Sequence, residues 1–326
     1  MNNNNYPPDT AGRLMISNVP IVSPEDTIEK IEEMLMVDIK KFETINYIYV
    51  VYKNKKLAGV ISIKDILRQP KSKLVSEVMI KNLVIAHPYT DQEKVAYLAF
   101  KKNIKAVPII DKEGTFLGIV PSDKILEIAY DEARQDLLSL AGVANFKSKI
   151  DDTMSLSIPV LLKHRLPWLL LGLLGGILTA QIISMFEETL EKNLILASFI
   201  PLIVYMGGAT LAQTQAFFIR DMALNPKLKF SQYFFKQLII ILSIALSISL
   251  IITLFALIFY NNFAITEVLV AALFSAILIS LFTGLIVPYI FSRFKLDPAN
   301  ASGPIATIIQ DLLGVSMYFA IASLLL

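Results

Sequence analysis

Over the first 167 residues apolar positions recur at short intervals between charged ones, whereas beyond them they run together in long blocks. Five such blocks follow Arg165, over residues 168–185, 194–219, 237–260, 268–290 and 304–326. Each is long enough, at 1.5 Å per helical residue, to cross a hydrocarbon core of about 30 Å. The third contains ILSIALSISLIITLFALIFY without a charge; the others carry Gly, Pro or polar residues that a lipid-facing helix alone does not need.

Residues 14–130 read as two similar units. In the first, IEKIEEMLM has a helical period, YIYVVY and LAGVIS read as strands around the turn KNKK, and KDILRQ reads as a helix. In the second, EKVAYLAFKKN is the helix, AVPIID and TFLGIV the strands around KEG, and SDKILEIAY the closing helix. Gly59 and Gly118 are one unit apart, and Gly114 fits a hairpin turn that wants positive φ. Such a repeat suggests two copies packed on each other. Residues 131–149 continue as a helix, with Ala133, Leu137, Leu140, Ala141 and Val143 at roughly helical spacing. The fold class is thus an α+β soluble pair followed by an all-α polytopic membrane domain of five helices.

Composition supports the division. The chain of 326 residues has 58 charged side chains, and 44 of them precede residue 168. Mean hydropathy is +0.59, too high for an ordinary soluble domain. A net charge of +2 gives no argument for nucleic acid as a partner, and the lack of cysteine excludes disulfides, thiolate metal sites and iron–sulfur clusters. Residues 1–10 are polar and unlike a signal peptide, and residues 1–13 are expected to be a disordered N-terminus. Bases Lys147, Lys149, Lys163, Arg165, Arg220, Lys227, Lys229, Lys236, Arg293 and Lys295 alternate, loop by loop, with Glu187, Glu188, Glu191 and Glu267, whose loops hold Lys192 as their only base. That bias predicts a multi-pass protein of the cell (inner) membrane with a cytoplasmic N-terminus and an external C-terminus.

Candidate chemistry is sparse. There are two histidines, His87 and His164, no H-E-x-x-H and no P-loop, so neither a zinc protease nor an ATP-driven pump fits, and no enzyme is expected. Asp311 lies seven residues into the last block. Burying such an acid costs about 2.5–3.5 kcal/mol by insertion scales, and it is tolerated when it faces a water-filled path or a cation. No base lies at comparable depth in the other blocks, which favours an ion pathway over a buried ion pair. Gly207, Gly208, Thr210, Gln213, Thr214 and Gln215 mark the second block, and Asn300, Ser302 and Thr307 add oxygens near Asp311. Asp131, Glu132 and Asp136, with Asp151 and Asp152 beyond, are either solvated charges suited to a helix start or a place where divalent cations bridge two bodies. The residues alone favour the first.

Each soluble unit resembles a CBS motif, whose signature is G-h-h-[ST]-x-x-D and whose paired copies often bind adenine nucleotides. The first matches with Gly59, Ser62 and Asp65; the second has Pro121 and Lys124 instead. One nucleotide site, using Ser62 and Asp65, is implied, although both residues equally suit a helix cap and a first-turn acid. The membrane half, with HRLPW, FEET, FIPLI, MGG and DPANASGPIATIIQDLLGVSMYF, resembles the MgtE-type magnesium channel and transporter family. That resemblance implies a homodimer with a pore between its membrane halves and Asp311 as the ion-binding acid, Thr307 and Gly314 lying about a turn either side. In the connecting helix DEARQD keeps Asp131, Glu132 and Asp136 of an acidic pattern, with Gln135 in place of a further acid.

Three departures accompany it. About a dozen residues precede the CBS pair where the family usually has a helical acidic domain, so gating is expected to rest on the pair and the connecting helix. The family's G-G-N-A-G-x-Q reads Gly207, Gly208, Ala209, Thr210, Leu211, Ala212, Gln213, and Asp221 follows Arg220 where glycine is common. The expected organisation is 14–130 as the CBS pair, 131–163 as a connecting, plug-like helix and 164–326 as the ion-conducting domain. The expected function is gated influx of a divalent cation, Mg2+ foremost, with Mg2+ or an adenine nucleotide acting on the CBS module. The alternatives are a membrane-anchored CBS sensor and transport of Co2+, Mn2+ or Ni2+.

Overall fold

The computed structural model describes residues 5–143, 154, 156–225, 228–294, 296 and 298–326, without the side chains of 224 and 300–302. It divides into two compact units, Met1–Ala133 and Arg134–Leu326.

The first unit opens with a short helix, α1 (Ala11–Leu14), and a short strand, β1 (Ile21–Val22). Residues 5–13, expected to be disordered, are instead part of the fold. Ala11 is fully buried, its N–H donates to the Thr90 carbonyl at 2.8 Å, and Tyr6 packs over Gly12. α2 (Ile28–Asp38) is capped by Thr27, which accepts from the Lys30 N–H, and buries Ile28, Ile31 and Leu35 on one stripe. β2 (Tyr47–Val51) and β3 (Leu57–Ser62) form an antiparallel hairpin with β1 parallel on the β2 edge. The short helices α3 (Ile63–Ile66) and α4 (Val75–Val78) lead to α5 (Gln92–Lys102), capped by Asp91 and ended by Asn103 at φ +52°. β4 (Ala106–Ile110) and β5 (Phe116–Pro121) make the second hairpin, with Gly114 at φ +88° in its turn.

The repeat extends to register. Gly59 faces Val50 and Gly118 faces Ile109, and in both hairpins the ladder shifts at the next residue. The hairpins meet through a Lys56–Thr115 bridge and a Tyr49–Phe116 stack with centroids 5.1 Å apart.

α6 (Ser122–Leu140) is one uninterrupted helix, and the division between the units falls within it. It stops short of the expected 149 because Gly142 adopts φ +75°. Val143 N–H then donates to the Leu138 carbonyl and Gly142 N–H to that of Ser139, the bonding pattern of a Schellman end. Residues 144–149 of the expected helix, and Asp151 and Asp152, lie outside the described residues.

The second unit continues with α7 (Ile158–Ser184), α8 (Glu187–Lys192), a 3-10 turn, α9 (Ile200–Leu224), α10 (Phe230–Phe259), α11 (Phe263–Arg293) and α12 (Pro298–Leu325). Five of these helices are long and apolar enough to cross a membrane. Most run past the expected blocks, because hydrogen bonding within a helix carries it through polar flanks such as Phe230–Lys236 of α10. α11 is the central helix, burying residues all round between α9, α10 and α12. α7 packs on α12 and buries only Gly175, leaving Leu169, Leu173 and Ile177 exposed as a lipid-facing helix does.

Candidate ion-binding cleft

Thr307 and Asp311 are four residues apart on α12 and therefore share a face. Both line a cleft of about 540 Å3 in the second unit, together with residues of α7 and α9 and the end of α6. The wall given by α7 is glycine: a Cβ on Gly175 would stand 2.8 Å from Ile308, whereas one on Gly172 or Gly176 would meet nothing. At the α6 end a Cβ on Gly303 would come within 3.0 Å of the Leu140 carbonyl oxygen, so backbone meets backbone there.

Asp311 is half-buried, and among the described residues no hydrogen bond or ion pair reaches its carboxylate. Thr307 donates its hydroxyl to the Gly303 carbonyl at 2.9 Å, which leaves the oxygen lone pairs available. Across the cleft Gln215 is 3% exposed, and among the described residues its Nε2 has no partner. A carboxylate on a cleft of this size suits a hydrated divalent cation: it supplies charge, and the hydroxyl oxygen of Thr307 and the amide oxygen of Gln215 are of the kind that accept hydrogen bonds from the ion's waters.

The remaining candidates are placed differently. Gln213 is exposed and outside this lining, with Gln215 in its stead. Successive residues turn 100° on a helix, so Gln213 and Gln215 cannot serve one face. The stripe Leu211, Ala212, Gln215, Ala216 was readable as i, i+1, i+4, i+5, but nothing in the apolar span says which stripe meets α12. Gly314 is buried outside the lining, and Asn300 lies in the first turn of α12. Asp221, the extra acid, is neutralised: Arg220 donates to its Oδ1 at 3.0 and 2.8 Å and Tyr233 to its Oδ2 at 3.0 Å.

Asp131, Glu132 and Asp136 lie along α6, each with an interaction of its own; Gln92 Nε2 donates to Glu132. Among the described residues no group of three or more His, Asp or Glu gathers to hold a metal ion.

In the first unit Ser62 caps α3, accepting from the Asp65 N–H at 3.3 Å and donating to the Asp65 carboxylate. This closed cap lies outside the 300 Å3 cleft between the two CBS hairpins. That cleft is lined by Tyr47, Tyr49, Asn82, Lys102, Pro108 and apolar neighbours. Among the described residues the buried Tyr49 hydroxyl has no partner, and burial pushes its ionisation above the ordinary tyrosine range. In the second motif Lys124, where the family has an acid, pairs with Glu127 at 2.7 Å, and that hydrogen bond raises its pKa.

A paired CBS module joined to a five-helix bundle with a lone carboxylate in a glycine-walled cleft defines a membrane transport protein with a regulatory domain. Comparison with known proteins supplies the family. The model described as MgtE, divalent cation transporter, matches residues 200–321, and the CBS domain model matches 11–72 and 75–131. Magnesium transporter MgtE of Bacillus subtilis is 32% identical over 98% of this chain and 70% of its own length. The protein of that name from Thermus thermophilus is 31% identical over 98% and 71%. Among solved structures, the soluble part of a magnesium transporter is 31% identical, with TM-score 0.39, over 39% of this chain and 50% of that one. The cytosolic domain of the Mg2+ channel MgtE in complex with ATP is 34% identical, with TM-score 0.38, over 39% and 51%. The chain belongs to the MgtE family of divalent cation transporters, whose members are transporters and not enzymes.

Proposed function

We propose that the chain works as a homodimer that conducts a divalent cation inward, Mg2+ first among the candidates, with an Asp311 carboxylate from each protomer holding the ion. The observation that carries this reading is Asp311 itself, half-buried on the cleft with no counter-charge among the described residues. A carboxylate so placed on a membrane span costs about 2.5–3.5 kcal/mol or more unless a cation supplies the missing charge. Mg2+ gives up water reluctantly, which suits a roomy cleft with an amide and a hydroxyl. Gly172, Gly176 and Gly208, where a Cβ would meet nothing, support a second copy closing over these helices. With the N-terminus cytoplasmic, two charges moving inward gain about 4–5 kcal/mol per 100 mV, so no pump is needed.

The CBS module gates this path in our reading. Leu140, Ala141 and Gly142 reach the cleft wall, so a shift of α6 would change its width. Cytoplasmic Mg2+ acting on Asp131, Glu132 and Asp136, or an adenine nucleotide in the Tyr47–Tyr49 cleft, would bias that shift. Tyr49, with a buried hydroxyl lacking a partner, favours a ligand there over the Ser62–Asp65 cap.

Uptake into proteoliposomes under an imposed potential tests the pathway. Asp311→Asn is expected to abolish Mg2+ flux with the dimer intact, and competition by Co2+, Mn2+ and Ni2+ ranks the ions. Replacing Asp131, Glu132 and Asp136 by their amides is expected to remove inhibition by Mg2+ on the cytoplasmic side; unchanged inhibition would refute that part.

A further inference from the structure

Gln310 sits beside Asp311 in the chain, yet it faces a different part of the bundle. It is 2% exposed and bonded at both ends of its amide: its Oε1 accepts from the Thr283 hydroxyl at 2.8 Å, nearer than that hydroxyl's other acceptor, the Ile279 carbonyl at 3.2 Å, and its Nε2 donates to the Ala276 carbonyl at 2.9 Å. Both partners belong to α11, seven residues apart and so on one face. On the third side stands α9, where a Cβ on Gly207 would lie 2.6 Å from the same Nε2. Only glycine leaves room for the amide. Three helices thus meet at one side chain.

Residues 310 and 311 are separated by 100° around α12, so whatever holds the first sets the direction of the second. Loss of either bond would strand a buried polar atom where water cannot replace it, which makes the orientation stiff. We propose that Gln310, clamped by Thr283 and Ala276 and admitted by Gly207, is a positioning residue that sets the rotation of α12 and thereby aims Asp311 into the cleft. The inference rests on the reading of Asp311 as the ion-binding acid. It assigns Thr283 and Gly207, which lie outside the cleft lining, a part in ion affinity.

The test is proteoliposome uptake of Mg2+ by the full chain over a concentration series, beside thermal unfolding of the solubilised protein. Thr283→Val keeps the shape and removes the hydroxyl. It is expected to raise half-saturating Mg2+ roughly three- to tenfold, the size of one lost buried hydrogen bond, with maximal flux changed less. Thr283→Ser restores the donor and is expected to return the wild-type value. Gly207→Ala approaches the amide from α9 and carries the same expectation should the valine protein fail to fold. Half-saturation within twofold of wild type in both Thr283→Val and Gly207→Ala would overturn the inference, as would a serine variant that behaves like valine. Asp311→Asn in the same series separates the two claims. If it still conducts, the ion-site reading falls and the positioning role with it; if it does not, unchanged half-saturation in both Thr283→Val and Gly207→Ala rejects the positioning role alone.

Discussion

Asp221 on α9 and Asp311 on α12 are both carboxylates on apolar helices, and their surroundings are opposite. Asp221 receives two bonds from Arg220 and one from Tyr233, which in turn accepts from Gln237. Asp311 receives none among the described residues. Charge on a membrane helix therefore carries no single meaning: a carboxylate with its own donors ties helices together, whereas one without them is the kind a cation would stabilise. The same contrast divides the amides and hydroxyls. Among the described residues Gln310 is bonded at both ends of its amide and Gln215 Nε2 is not bonded; Ser62 closes on Asp65, while the Tyr49 hydroxyl has no partner.

Substitutions can break this comparison at several points. The largest effect is expected at Asp311→Asn, with flux lost and stability kept or slightly raised, since no bond is broken and an unpaired charge is removed. Asp221→Asn should do the reverse, lowering stability by about 1 kcal/mol with flux retained. That figure is discounted from the usual 1.5–3 for charged hydrogen bonds because the Asp221 side chain keeps 29% exposure. Next comes Gln215→Leu, expected to cut Mg2+ flux about tenfold without loss of thermal stability, whereas Gln213→Ala should leave flux within twofold. The smallest effect is expected at Tyr49→Phe. Removing an unpartnered buried hydroxyl should leave unfolding within about 1 kcal/mol of wild type or shift it upward. Titration calorimetry with ATP on the whole protein should show about fivefold weaker binding, and equal binding would remove Tyr49 from any nucleotide site.

Much of the architecture was legible because its causes are local. The five spans follow from continuous hydropathy, and the two CBS hairpins from short apolar runs around the turns KNKK and KEG. The exceptions are tertiary. α1 forms and is buried because Ala11 and Gly12 fit beneath Tyr6 and beside Thr90, a contact no local pattern announces. α6 ends at Gly142 although apolar spacing continues past it, since one positive φ outweighs a stripe. Asp311 stood out by charge alone. The choice between Gln213 and Gln215, and the junction of Gln310, Thr283 and Gly207, required the rotation of α9 and α12. Spans apolar around most of their circumference do not record that rotation in their sequence.

The most direct test of the central claim is Mg2+ uptake into proteoliposomes by the Asp311→Asn protein beside Asp221→Asn, both reconstituted as folded protein under the same imposed potential. Flux at the level of empty vesicles for the first and near wild type for the second is the expected result. Asp311→Asn conducting as well as wild type would contradict the account.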